Sequence, residues 1–279
     1  MEHAIHCASQ AFVNKVSPML IGLIKSKLAA DEDDDLRGIE ELVATDDTTD
    51  DLCNTNKFDP ADLLGKILAF VNQVHSSLQA HTFFHKLCKD ESLLPLQLLK
   101  WIHICWASPY DLITCLLDVC PACNKFTLLA DDDHRVPNLK FPKTYGMFKL
   151  NEGKWCLLEL IHDGLREPAL SCQSFSHATR PTIYCAFPVL ESMQQKWEHM
   201  VKNPKYAQIV PTLKAGLENL RKWYRILDNS SIYFICLVLD PHVKMAYFQM
   251  HWEEEYLEAG KEGLEKTVSH YFHCADLRN

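Results

Sequence analysis

The chain has little glycine and little proline for its length: 9 and 13 among 279 residues. A many-turned β-sandwich or barrel draws on both at its tight connections, so that class is disfavoured. No apolar run approaches the ~18 residues that a membrane-spanning helix needs. The longest, Leu93 to Leu99 and Ile232 to Leu239, stop far short of it. Met1 to His6 show no basic stretch leading into an apolar one, the mark of a secretory signal. Phosphate-cradling G-x-G-x-x-G and Walker A loops are missing, and so is the G-x-S-x-G nucleophile turn. The 12 cysteines are scattered, with one C-x-x-C at Cys120 and Cys123. They lack the spacing of a disulfide framework and read as reduced thiols in a nuclear or cytoplasmic setting.

What is present is ordinary globular material, 47% hydrophobic and 23% charged. The net charge of −9 is unevenly spread. Between Asp31 and Asp51 stand 11 acidic residues against one basic, Arg37, so this stretch carries −10 and the rest about +1. A segment of that kind buries little and reads as a flexible linker. The near-neutral remainder argues against strong autonomous nucleic-acid binding, which rests on many phosphate contacts.

Hydrophobic spacing points to helices on both sides of the linker. Phe12, Val16, Met19, Leu23 and Leu28 recur with helical period, with Pro18 dividing the run. Asp59-Pro60-Ala61-Asp62 is a helix start with Asp59 as N-cap and Asp62 in the first turn. Leu63, Ile67, Phe70, Val71 and Val74 then share one face, and a short helix is expected from Ala80 to Cys88. Ser108-Pro109-Tyr110-Asp111 repeats the start signal ahead of Leu112, Leu116 and Val119. Helices are also predicted over Lys154 to Leu170, after Arg180-Pro181-Thr182 with a bend at Pro188, and over Glu253 to His273. The clearest amphipathic pattern lies between Pro204 and Leu227, with Leu213, Leu217, Leu220 and Tyr224 on one face. Ile232 to Leu239 fits helix or strand equally.

Chemistry-bearing residues are sparse. Cys120 and Cys123 could form half of a metal site, with His270, His273 and Cys274 as a second pair, but small buried hydrophobes is the favoured reading. Asp131-Asp132-Asp133 lacks the spacing and glycine of a calcium loop and reads as a solvated turn. Trp106, Trp155, Trp197, Trp223 and Trp252 could stack on bases, yet at helical spacing tryptophans are more often core. Lys214, Arg221, Lys222 and Arg225 form a modest basic strip, a solvated helix face that could touch phosphate. No cofactor or metal site is expected.

Several segments, in order, resemble the hAT superfamily of DNA transposases, the fungal type especially. Ile5 to Asn14 (IHCASQAFVN) is similar to the family's R-C-x-x-H-x-x-N-L motif. Val74 to Gln79 resembles I-R-S-S-P-Q-R, and Trp106 to Asp111 resembles T-R-W-N-S-T-Y. Trp155 to Leu170 is similar to W-x-L-L-x-x-L-x-x-x-L-x-P, and Pro181 to Leu190 to P-T-I-x-x-x-x-P-x-L. Leu237 to Lys244, with Tyr247, Phe248 and Trp252, resembles V-L-D-P-R-Y-K-x-x-Y-F. The departures are Gln10 for the motif histidine, Cys105 for the arginine before the tryptophan, and His75 and Leu78 for the arginine and proline of the second motif.

The resemblance implies a ribonuclease-H-like catalytic domain interrupted by a helical insertion, of which this chain would hold mainly the insertion. It implies catalysis by two Asp and one Glu on two divalent metals, and none of those carboxylates stands here in its motif. The expectation is a mainly α helical bundle with little or no sheet: an orphan helical segment over 1–30 with no sheet to pack on, an acidic linker over 31–58, and a helical domain over 59–279. The functional expectation is a catalytically inactive, transposase-like fragment with weak residual DNA association through Trp106, Lys214, Arg221, Lys222 and Arg225. The alternative is a helical protein-interaction module whose partner is intact transposase or another protein, marked by an exposed apolar face on Leu213, Leu217, Leu220 and Tyr224. No membrane partner is expected.

Overall fold

The computed structural model describes residues 2–18, 62–93, 98, 108–140, 142–175, 182–227 and 231–276. Among these the regular structure is helical throughout, with no strand. The mainly α expectation therefore holds.

Helix α1 is Glu2–Val16 and α2 is Leu63–His75. Asp62 caps α2, accepting the Gly65 N–H at 3.0 Å, and Ser17 at the end of α1 donates its hydroxyl to the same carboxylate at 2.6 Å. Asp62 was expected inside the first turn, with Asp59 as cap. The carboxylate that reaches the free N–H groups is the later one, and Asp59 to Ala61 lie outside the described residues. Helix α3, Leu78–Asp90, starts at the Ser77 cap and extends beyond the predicted span at both ends.

Helices α4 (Ser108–Asp118) and α5 (Cys120–Leu129) follow with a sharp turn between them. A short 3-10 segment, Tyr145–Phe148, closes over α5. Asp131 holds that segment by accepting the N–H groups of Tyr145 (2.7 Å) and Gly146 (2.9 Å), and Asp133 pairs with Arg135. The aspartates of this turn thus act on the backbone and on a neighbouring cation. Phe70, Phe84 and Tyr145 surround Phe126 with ring centroids 5.3–5.8 Å away, mostly edge to face, the arrangement their quadrupoles favour.

Helix α6, Glu152–Gln173, is capped by Asn151, which accepts the Lys154 N–H at 2.9 Å. Helix α7, Ala186–Lys202, is entered through a 3-10 turn, Ile183–Cys185. Pro188 was expected to bend α7. It sits in the first turn, where its missing N–H has no partner to lose, so no bend is needed. Helix α8, Val210–Leu227, follows the 3-10 segment Pro204–Ile209. Ile232–Val238 is helix α9: it buries Phe234 and Leu237, three residues apart, which settles a pattern that hydropathy left open. Helices α10 (Ala246–His251) and α11 (Glu254–Asp276) complete the description.

The largest departure concerns α1. It was expected to be an orphan; instead it packs along α8 and also touches α6. Ile5, Ala8 and Phe12 are fully buried and belong to the same core as Leu213, Leu217 and Leu220. The apolar face of α1 has found a helix in place of a sheet. A smaller second core holds Phe234, Leu237, Phe248 and Leu257, and Trp252 touches both cores.

The junction of α1, α6, α7 and α8 is built on Trp197, which is wholly buried. Its ring lies on Phe12 (5.9 Å between centroids) and so close to Gly216 that a Cβ there would come within 2.3 Å of Cζ3. Phe12 stands over Gly164 in the same way, 2.8 Å from where a Cβ would be. Two glycines in helix interiors cost helix propensity, and here they let neighbouring helices approach around two large rings.

Candidate functional site

Helix α8 has two faces. Leu213, Leu217 and Leu220 point into the core against α1 and α7. Lys214, Glu218, Arg221 and Lys222 are exposed on the other side. Residues 214, 218 and 221 are three and four apart and so lie on one stripe, with Lys222 beside it. The stripe is not uniformly positive. Glu218 stands within it, and Glu198 of α7 approaches the Arg221 guanidinium to 3.9 Å while accepting the Gln194 side-chain N–H at 2.9 Å. Trp106 lies outside the described residues. Arg225 continues α8, but its side chain is outside them too.

The burial of Leu213, Leu217 and Leu220 removes the exposed apolar face on which a protein-interaction reading was to rest. The reason is α1: the face that periodicity found is the one α1 covers. Large apolar side chains are exposed elsewhere, on the far part of α11, where Val268 and Tyr271 face solvent.

The other tryptophans are mainly structural. Trp197 donates its indole N–H to the Gly164 carbonyl at 2.9 Å. Trp155 donates to Asn124 at 3.1 Å, and Trp252 to Glu191 at 3.1 Å. Tyr247 gives its hydroxyl to the other oxygen of Glu191, so one carboxylate on α7 ties down α10 and the residue after it. Burial first, then that carboxylate, pushes the Tyr247 phenol far above its ordinary range.

Cys123 is deeply buried and its thiol is pushed well up, by burial first and then by neighbouring cysteines, which makes it inert. Cys120 is raised as well, again chiefly by burial, and receives the Asn124 amide at 3.5 Å. Among the described residues no group of three or more His, Cys, Asp or Glu side chains is placed to hold a metal ion, so Cys120 and Cys123 are not completed by His270 and His273. Lys66 is an unusual core residue. Its ammonium donates to the Lys149 carbonyl at 2.7 Å, and burial, with Lys154 second, lowers it from the usual lysine range.

Several histidines are half-buried. His162 lies flat on Tyr110 (4.7 Å, 12°), with Nε2 2.9 Å from the Thr114 hydroxyl. That hydroxyl donates to the Tyr110 carbonyl at 2.8 Å, so the imidazole is the donor to it. His75, His81 and His85 stand in a row, with ring centroids 5.5 and 4.5 Å apart. One pair was not foreseen in the sequence. On α1, Cys7 Sγ lies 3.6 Å from His3 Nε2, and the His3 ring meets Trp223 of α8 edge-on at 5.2 Å. The spacing of four on a helix is the signal that would have found it.

No protein-family model matches the chain, and neither a curated protein nor a solved structure matches it.

Proposed function

We propose that this chain is a non-catalytic helical scaffold of hAT-transposase-like descent whose contact with DNA is weak and purely electrostatic. The observation that carries the reading is the exposed stripe of Lys214, Arg221 and Lys222 on α8, set on a helix whose other face is locked into the core. A rigid helix presents cations at fixed spacing to phosphates, which positions a duplex without reading its sequence. Glu198 and Glu218 within and beside the stripe hold the contact to a few phosphates. The order of transposase-like segments supports the descent.

The test is a labelled duplex titrated with the protein at low salt, beside the triple variant Lys214→Ala, Arg221→Ala, Lys222→Ala. Weak binding that the triple variant abolishes supports the reading. Binding that survives it places the contact elsewhere. Cleavage or joining of the duplex with magnesium or manganese would overturn the non-catalytic part.

A second reading is a helical protein-interaction module. It is favoured by the far part of α11, where Val268 and Tyr271 are exposed one helical turn apart.

A further inference from the structure

We propose that His3 and Cys7 form a two-ligand surface site for a thiophilic divalent cation of the zinc type. In a tetrahedral zinc site, bonds of about 2.3 Å to sulfur and 2.05 Å to nitrogen put those two atoms about 3.6 Å apart. The observed Sγ to Nε2 separation is 3.6 Å, so both donors already stand where a shared cation needs them. They come from consecutive turns of α1, four residues apart, and a helix fixes that relation before any ion arrives.

The surroundings suit the assignment. His3 is exposed and Cys7 half-buried, so the ion has access and its remaining positions fall to water. Trp223, packed edge-on against the His3 ring, restrains its orientation, as supporting groups around metal-bound imidazoles do. One imidazole and one thiolate select zinc, cobalt or cadmium over magnesium or calcium, which take oxygen. Among the described residues no third side chain closes the site. It is therefore an open, exchangeable site, and each ion bound displaces the Cys7 thiol proton to solvent.

The experiment is alkylation of the full chain by iodoacetamide, without thiol reductants, read residue by residue by mass spectrometry with and without zinc. Zinc should slow modification of Cys7 and leave the exposed Cys156 unchanged. In His3→Ala the protection should weaken at least about tenfold. Alanine at this exposed helical position keeps α1 folded, which circular dichroism checks. Cobalt should give a near-ultraviolet thiolate charge-transfer band that is lost in Cys7→Ser. Equal slowing of Cys7 and Cys156, or protection that survives His3→Ala, would overturn the site. No protection at all would mean that the pair is a thiol–imidazole hydrogen bond and nothing more.

Discussion

The indole N–H of Trp197 donates to the carbonyl of Gly164, the carbonyl that residue 168 would serve in an unbroken helix. Residue 168 is proline and has no N–H to give. A donor from α7 thus replaces the one α6 lacks, at a place too buried for water to do so. Trp197→Phe should leave that carbonyl unpaired and destabilise the fold by about 1–3 kcal/mol. In a Pro168→Ala background the backbone donor returns, and the cost of Trp197→Phe should shrink. A double-mutant cycle by urea unfolding measures the coupling. Additive effects would separate the two residues.

The glycines at this junction make a contrasting pair with one at the surface. Gly216→Ala places a methyl within 2.3 Å of the Trp197 ring, and an overpacked core of this kind costs about 1–3 kcal/mol or more. Gly153, in the exposed first turn of α6, has nothing nearer than 3.8 Å. Gly153→Ala should be neutral or stabilising by up to about 1 kcal/mol. Thermal unfolding of both variants decides the matter. Equal effects would contradict the close approach of α7 and α8.

Phe12 tests the docking of α1. It is fully buried between Trp197 and Gly164. Phe12→Ala should cost about 3–5 kcal/mol, as large deletions in cores do. It should also raise binding of a hydrophobic dye by opening the α8 groove. A variant as stable as the parent would return α1 to the orphan status that the sequence suggested.

Acid should weaken the fold through three histidines. His6, His85 and His162 are all lowered, each mainly by burial, from an ordinary value of 6.5. The folded chain therefore binds these protons less readily than the unfolded one. Their contribution is complete above about pH 6.5 and is lost as pH falls through the lower folded values. The urea midpoint should drop between pH 7.5 and 5.5. His162→Gln, which keeps a donor for Thr114 but does not titrate, should flatten part of that drop. An unchanged pH profile in this variant would remove His162 from the account.

Helix positions were legible because the signals are local. The spacing of Leu63, Ile67 and Phe70, and that of Leu213, Leu217 and Leu220, each need only a few neighbouring residues. The caps Ser77 and Asn151, which start their helices two residues ahead of the expected spans, were not singled out. The partner of α1 was not legible. Phe12 and Val16 mark an apolar face, but nothing nearby says that it meets a helix some 200 residues later. The pairing of Pro168 with Trp197 was hidden for the same reason. On α8, the exposure of Lys214, Arg221 and Lys222 follows from helical spacing. Glu198 beside Arg221 does not, because it arrives from another helix.

The proposed DNA contact is electrostatic and confined to the α8 stripe. The most direct measurement is duplex affinity across a salt series for the parent chain and for the Lys214, Arg221, Lys222 triple-alanine variant. A stripe of three or four cations gives a slope of log affinity against log salt between about −2 and −4. The account predicts that slope, and its loss in the variant. A slope near zero, one steeper than about −6, or one that the substitutions leave unchanged would contradict it.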